Sequence, residues 1–269
     1  MTAVARLEAH LQPMARTLLG YSGGVDSAVL AVCGARALGP ERFLAVIGRS
    51  ASYPAVQYEQ AVTLAGANQV PILEVSTGEL DDPAYRSNQG DRCFHCKREL
   101  WAQLSAVARA RGFDTIIDGT NADDLGEHRP GLAAGAAAGI RSPLAELGFA
   151  KREVREMARA LGLPVWDAPA APCLASRLSQ GLPVTAERLR QVERAEELLR
   201  SLGIGGNLRV RHRGQAASVE ADREWVGWLE SRWADIEPLI LQAGFARATL
   251  DPRGYRRGGL ASELPVVQA

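Results

Sequence analysis

Lysine is almost missing from this sequence. Of 31 basic residues only Lys97 and Lys151 are lysines, so those two ammonium groups stand out on a chain that otherwise uses arginine. Net charge is missing as well, with 31 Lys plus Arg against 31 Asp plus Glu. That balance removes the global positive field on which nucleic-acid binding relies. No run of about 18 apolar residues occurs, so no membrane span is expected. The opening MTAVARLEAHLQPMAR lacks the apolar core of a signal peptide and reads as a short amphipathic helix. The four cysteines are unevenly spaced, which argues against a secreted disulfide framework and for a reducing cytoplasm. Repeats and low-complexity tracts are absent too. What remains is 46% apolar and 23% charged, enough for one large core or two moderate ones.

The first 165 residues alternate short β-branched runs with helical patterns, the mark of a parallel α/β sheet. Strands are expected at 16–22, 42–48, 70–76 and 114–120. Between them, helices are expected from Asp26 to Leu38, from Pro54 to Leu64 and from Arg98 to Arg111, closed by Gly39, Gly66 and Gly112. A further helix, KREVREMARALG, places Val154, Met157, Ala158 and Leu161 on one face. The proline-rich stretch 163–184 marks a linker or ordered loop. Beyond it Thr185 caps a helix with Leu189, Val192, Leu198, Leu199 and Leu202 on one side. A hairpin from NLRVRHRG and QAASVEA follows, then a helix over about 222–243 and a last strand, ARATLD. The expected organisation is a nucleotide domain over 1–165, a linker and active-site loop over 166–184 that carries Cys173, and a smaller α+β domain over 185–269.

Two segments of the first domain suit an anionic ligand. In YSGGVDSAVL (21–30) a glycine-rich turn joins the first strand to the first helix. Gly23, Gly24, Val25 and Asp26 bring backbone N–H groups to a positive helix end, and Ser22 and Ser27 add hydroxyl donors for phosphate. The lysine of a G-x-x-x-x-G-K-[ST] loop is absent. The second segment, DGTNADDLGEHRPGL (118–132), lies just past the fourth strand, where open α/β sheets bind ligands. There Gly119 and Asp124 face a nucleotide, Asp118, Asp123 and Asp124 are candidates for Mg²⁺, and Arg129 for a phosphate. A solvated acidic turn capped at Asn121 explains Asp123 nearly as well.

The cysteines pose a separate question. DRCFHCKREL (91–100) holds Cys93 and Cys96 with His95 between them. From these residues alone a metal site, a redox pair and two core thiols all stay open. Zinc bound by three cysteines and His95 is one version. A thioredoxin-like pair is disfavoured on the expectation that CFHC does not open a helix after a strand. Cys33 lies mid-helix and reads as a core thiol. Cys173, in a proline-bracketed loop, is a poor candidate for a buried hydrophobe.

The glycine-rich turn resembles the SGGxDS signature of the PP-loop ATP pyrophosphatases, which split ATP into AMP and pyrophosphate while adenylating a substrate oxygen. That resemblance implies their adenine nucleotide alpha hydrolase-like parallel sheet, with ATP and Mg²⁺ as ligands. Within that superfamily PCLASRL (172–178), DRCFHCK, DGTNADDLGEHRPGL and TLDPRGYRRGGL together resemble the ATP-dependent sacrificial sulfur transferases of the LarE family. The likeness covers nearly the whole chain and implies a substrate, pyridinium-3,5-biscarboxylic acid mononucleotide. Its carboxylates become thiocarboxylates on the way to the nickel-pincer cofactor of lactate racemase. The thiolate or hydrosulfide is the required nucleophile. Members with a lone CLASR cysteine give up its sulfur; members with a C-x-x-C besides hold a [4Fe–4S] cluster on three thiolates, with one iron open. Cys93, Cys96 and Cys173 match the second type, with sulfide or another sulfur donor as partner.

Other roles follow from the same likeness. Lys97 is placed to neutralise a substrate carboxylate or phosphate, the plain alternative being a solvated helix lysine. Ser176 and Arg177 flank Cys173, and Arg177 suits a bidentate phosphate contact. Arg209 and Arg211 alternate in LRVRH and so share one face; they grip a phosphate or are exposed hairpin charges. Glu197 and Glu220 match acidic positions, Glu197 reading more simply as one of many solvated charges. The tail departs from the family after Tyr255 and Arg256. A homo-oligomer and hand-over of the product to a nickel-inserting enzyme are implied, without nucleic acid or membrane. A cluster-dependent tRNA thiolase is the alternative, favoured by the basic tail Arg247, Arg253, Arg256 and Arg257. A non-catalytic nucleotide or metal carrier and an amide synthetase are two more.

Overall fold

The computed structural model describes residues 1–126 and 130–256, so Arg129 and Arg257 lie outside the described residues. In chain order the helices are α1 (Ala3–Leu11), α2 (Val25–Leu38), α3 (Ala55–Ala67), α4 (Pro83–Ser87), α5 (Arg92–Arg111), α6 (Pro130–Ala137), α7 (Pro143–Glu146), α8 (Lys151–Ala160), α9 (Ala186–Ser201), α10 (Arg223–Ser231) and α11 (Trp233–Gln242). The strands are β1 (Thr17–Gly20), β2 (Phe43–Arg49), β3 (Ile72–Ser76), β4 (Thr115–Ile117), β5 (Leu208–Arg213), β6 (Ala216–Ala221) and β7 (Arg247–Leu250). Two compact units form. One comprises Met1–Ser50, Ala55–Glu79 and Cys93–Ala171; the other Ala51–Pro54, Leu80–Arg92 and the chain from Pro172 onward.

The first unit is a parallel sheet in the order β3-β2-β1-β4. β1 is central because TLLG is buried almost throughout, as a strand covered by helices on both faces must be. α1, α2 and α8 share one core with Leu19, Phe43, Ala45 and Ile47. On α8 the expected stripe is buried at Val154, Met157 and Ala158, while Leu161 packs at its edge. Full burial of a Val or Met side chain contributes about 1.5–3 kcal/mol, which is what holds so charged a helix in place. A second core gathers Leu18, Val46, Trp101, Leu104, Ala108 and Ala134, joining α5 and α6 to the sheet.

Three boundaries differ from expectation. α5 begins at Arg92 rather than Arg98, so CFHC forms its first turn; the argument that CFHC does not open a helix is overturned. It still does not directly follow a strand, because residues 77–91 intervene after β3. α3 runs through Gly66, and the left-handed residue is Gln69 (φ 55°), with Val70 N–H returning to Ala65 O at 2.9 Å. The helix over 222–243 is two. Arg232, at φ −120°, leaves helical geometry, and its carbonyl starts α11 by accepting from Asp235 and Ile236.

The second unit has a three-stranded sheet, β5-β6-β7, with β5 and β6 antiparallel and β6 and β7 parallel. α9 lies on β5 through Leu189, Val192, Ala195 and Leu199, while Leu202 is exposed. Thr185 caps α9, accepting from Arg188 N at 3.2 Å. Backbone pairs bring the two short excursions in: Leu174 N to Ser52 O at 2.8 Å and Val184 N to Arg86 O at 2.8 Å. Asn88, itself left-handed, donates its side-chain amide to Ser179 O and Leu182 O. Among the described residues no helix is long and apolar enough to cross a membrane.

Candidate functional site

Gly20 ends β1, and the chain turns through Ser22, Gly23 and Gly24 into α2. Gly23 takes φ +69°, and a Cβ there would run into Ala61 of α3, so both conformation and space demand glycine. Tyr21 closes the floor, donating its hydroxyl to Ala61 O at 3.0 Å. The Ser22 and Ser27 hydroxyls lie 3.2 Å apart, and Ser22 N–H points to Ser27 Oγ at 3.2 Å. Polar donors thus converge on the N-terminus of a fourteen-residue helix, where the macrodipole favours an anion.

The segment after β4 is fastened to this loop. A Cβ on Gly119 would stand 3.0 Å from Ser27 N and 3.2 Å from Asp26 Cβ, so only a bare backbone fits so close to α2. Asn121, 2% exposed, is the organising residue. Its amide donates to Asp26 Oδ1 at 3.1 Å, and its oxygen accepts from Asp123 N and Asp124 N at 3.0 and 3.3 Å. Asp124 returns the bond by accepting from Asn121 N at 3.1 Å. Asp26 is also ion-paired with Lys151, whose backbone N–H donates to Asp123 at 2.9 Å. Asp118 faces its own loop, accepting from Thr120 N, Thr120 Oγ1 and Ser142 Oγ at 3.0, 2.9 and 2.7 Å. Those bonds tie the turn after β4 to Ser142. The pattern of the sequence did not point to Asn121 as a link or to Lys151 as the partner of Asp26. Their separation along the chain hides both, and only the rarity of lysine hinted at the second.

On α5, Cys93 is exposed and Cys96 half-buried. At about 100° per residue a helix sets positions three apart on one side and turns His95 away from Cys93. The His95 ring instead meets Phe94 edge-on at 5.6 Å. The Lys97 ammonium lies 5.0 Å from the centroid of Trp101.

Cys173 belongs to the second unit. It is half-buried and precedes a 3₁₀ turn, Leu174–Arg177. Arg177, 4% exposed, folds back over that turn, donating to Cys173 O at 3.0 Å and Ser176 Oγ at 3.2 Å. Its other nitrogens grip Glu196, which also accepts from Val210 N. Arg211 reaches Ser176 O at 3.3 Å and pairs with Glu220 at 2.9 and 3.0 Å, both side chains buried. Arg209 is buried too, its guanidinium 5.4 Å from the Tyr255 ring. Burial, and then the charge of Arg177, hold its pKa below the ordinary arginine value. The reading of Arg209 and Arg211 as exposed hairpin charges is therefore overturned. The acid that organises the turn is Glu196, whereas Glu197 faces solvent. Cys33 is fully buried, and burial pushes its thiol up to about 12. Within neither unit do three His, Cys, Asp or Glu side chains among the described residues gather to hold a metal ion.

The profile of the NAD synthase family matches residues 4–115, the part of the first unit that carries the loop. An uncharacterized protein of Synechocystis sp. is 39% identical over 91% of this chain and 91% of its own. The pyridinium-3,5-bisthiocarboxylic acid mononucleotide synthase of Lactiplantibacillus plantarum is 30% identical over 99% of this chain and 96% of its own. This chain belongs to the LarE family of PP-loop sulfur transferases. It is an ATP-dependent enzyme. A glutamine-hydrolyzing GMP synthase component of Methanococcus maripaludis is 31% identical, but over only 55% of this chain and 51% of its own. Full-length similarity therefore distinguishes the LarE family from the broader PP-loop group.

Proposed function

We propose that the chain converts the ring carboxylates of pyridinium-3,5-biscarboxylic acid mononucleotide to thiocarboxylates in nickel-pincer cofactor biosynthesis, with Cys93, Cys96 and Cys173 holding a [4Fe–4S] cluster. Full-length similarity to the synthase of that name supports the substrate. The observation that carries the reading is the Cys173 turn, braced by Arg177 and Arg211 at its carbonyls and hydroxyl. Two further thiols share one turn of α5, and the fourth cysteine is unsuited as a ligand because it is buried and held as a thiol. The donor set thus fits a group bound by three thiolates. When bound, it supplies one iron without a protein ligand, an exchangeable place for sulfide.

In the first step a substrate carboxylate oxygen attacks the α-phosphorus of ATP, and pyrophosphate leaves. Ser22, Ser27 and the N–H groups of the Gly23–Gly24 turn hold the phosphates, with Gly119 and Asp124 alongside. Mg²⁺ takes most of its ligands from phosphate oxygens and water, so a single carboxylate such as Asp123 suffices from the protein. In the second step sulfur attacks the acyl carbon of the adenylate and AMP departs with the former carboxylate oxygen. Lys97 neutralises the substrate's anionic group, and Arg209 and Arg211 hold its phosphate. Product hand-over to a nickel-inserting enzyme and a homo-oligomeric assembly belong to the same proposal.

The test uses anaerobically purified protein with MgATP, the biscarboxylate mononucleotide and sulfide. AMP and pyrophosphate should appear with repeated replacement of oxygen by sulfur in the product. Iron and acid-labile sulfide should both be lost in C93A, C96A or C173A. A C93A protein that retains multiple turnover and iron refutes the cluster; ATP bound without pyrophosphate release refutes the reaction.

A further inference from the structure

Three arginines of the second unit are buried, and carboxylates grip two of them. Glu196 accepts from Nε and Nη2 of Arg177, and Glu220 accepts from Nε and Nη2 of Arg211. The third, Arg209, has an aromatic ring against it. Its guanidinium carbon lies 5.4 Å from the centroid of Tyr255, within reach of a cation–π contact. Its Nη1 donates to Leu208 O at 2.7 Å. Glu220 stands opposite Arg209 in register but turns its carboxylate to Arg211. A carboxylate orients a guanidinium and cancels its charge, whereas a ring face orients it and leaves the charge in place. Burial, and then the charge of Arg177, disfavour the Arg209 cation, and an anion beside it offsets that repulsion.

Tyr255 owes its place to the turn after β7. Asp251 leads that turn and is 6% exposed; its N–H donates to Val219 O of β6 at 2.8 Å. Its carboxylate accepts from Arg253 N, Nε and Nη2 at 2.9, 2.9 and 2.8 Å, and Arg256 Nη2 stands 3.8 Å away. Gly254 then passes close to β6. A Cβ there would come within 2.9 Å of Ala221 O, and its φ of +71° suits glycine. The next residue, Tyr255, donates its N–H to that same oxygen at 2.7 Å. Ala221 pairs with Leu208, so the turn delivers the Tyr255 ring beside the strand position that follows, which is Arg209.

We propose that Tyr255 is a positioning residue for substrate binding: its ring holds the Arg209 guanidinium, still charged, for the phosphate of the pyridinium mononucleotide, and Asp251 fixes the turn that presents the ring. The phosphate itself touches Arg209; Tyr255 acts through it. The inference rests on the reading that Arg209 takes that phosphate, and it adds the two residues that keep the guanidinium in place.

The test titrates full-length, anaerobically purified protein with the biscarboxylate mononucleotide by calorimetry, without ATP, and then measures turnover. Y255L removes the ring face and keeps apolar bulk. It should bind the mononucleotide about tenfold more weakly, in the range of a desolvated cation–π contact. Its KM for the mononucleotide should rise by the same factor while kcat and the KM for MgATP stay as in the parent, the pattern of lost ground-state binding. Y255F restores the face and should restore the affinity. D251N loosens the turn and should fall between Y255L and the parent. R209Q should bind more weakly than Y255L, and Y255L added to R209Q should cost nothing further, because the ring acts only through the guanidinium. Full affinity in Y255L, with R209Q still weak, overturns the role of Tyr255 and leaves Arg209 as the phosphate ligand. Full affinity in R209Q overturns the reading of Arg209 and the inference together. A loss in Y255L that persists in R209Q, or that raises both KM values alike, assigns Tyr255 to the fold and overturns the inference. Because binding is read without ATP, these results stand apart from whether the chain makes a thiocarboxylate.

Discussion

Arg177 and Glu196, nineteen residues apart, form a two-point ion pair: Nε and Nη2 donate to the two carboxylate oxygens at 2.9 and 3.0 Å. The remaining guanidinium nitrogen, Nη1, donates to the carbonyl of Cys173. One acidic side chain on α9 therefore fixes the turn that presents the Cys173 thiol.

Removing that acid should leave a buried guanidinium without its partner. E196A is expected to lose about 3–5 kcal/mol of stability, the usual consequence of breaking a buried pair, read as a lower urea midpoint. R177K keeps the charge but not the fork, so it should fold better than E196A yet transfer sulfur poorly. An unchanged midpoint and turnover in E196A would remove Glu196 from the site.

Gly23→Ala tests the loop. The left-handed φ of +69° costs an alanine roughly 1–2 kcal/mol, and its methyl collides with Ala61. Gly39, at φ +73° and ψ 169° with open space around it, is the control for a positive φ without a collision and away from the loop. Both variants should lose stability, G39A because φ +73° with ψ 169° is a conformation that only glycine takes readily, but calorimetry should show ATP binding weakened on the order of tenfold or more, about 1.4 kcal/mol, in G23A alone.

The Lys151–Asp26 pair predicts a kinetic effect. Lys151 is 39% exposed at its side chain, so K151M should fold. Its KM for MgATP, measured by pyrophosphate release, should rise by roughly one to two decades, which is about 1.4–2.7 kcal/mol. K151R should recover part of this, because it restores charge without a compact ammonium. Wild-type kinetics in K151M would mean the pair serves folding only.

Stability should also depend on pH through His212. Burial, then the charge of Arg188, lower its pKa from 6.5 to about 4. Its Nε2 is bonded to Gln191 Oε1 at 2.8 Å. The unfolded chain binds the proton first, so stability is fully present above pH 6.5 and falls as pH drops toward about 4. Urea midpoints across that window should fall in the parent and lose this component in H212Q. Identical slopes in the two proteins would show that another group is responsible.

Much of the fold is legible because local interactions write it. The four strands of the first sheet, the helix after SGGVDS and the cap at Thr185 follow from turn chemistry and periodicity over neighbouring residues. The errors fall where a local signal was ambiguous. Gly66 resembled a stop, but the αL position moved to Gln69 because the return bond forms from Val70 to Ala65. The helix was expected to start at Arg98, yet CFHC is already helical because the apolar register of α5 extends back from Trp101 and Leu104. The site is less legible. Glu196 and Glu197 are neighbours of the same type, and the rotation of α9 against β5 decides which one meets Arg177. Glu220 lies opposite Arg209 in register, but its carboxylate crosses diagonally to Arg211.

The sequence alone determined the chemistry at each local site: a glycine turn at a strand–helix junction, a pair of cysteines one turn apart, an arginine four residues after Cys173. These depend on spacings of a few residues, which backbone geometry converts directly into shared faces. Tertiary structure decided which distant groups hold them. Lys151 reaches Asp26 across 125 residues, Asn121 reaches it across 95, and residues 51–54 and 80–92 leave the first unit's chain to pack with the second. Such pairings follow from how buried faces stack and which buried charges must be neutralised, and neither is encoded in any short window of the chain.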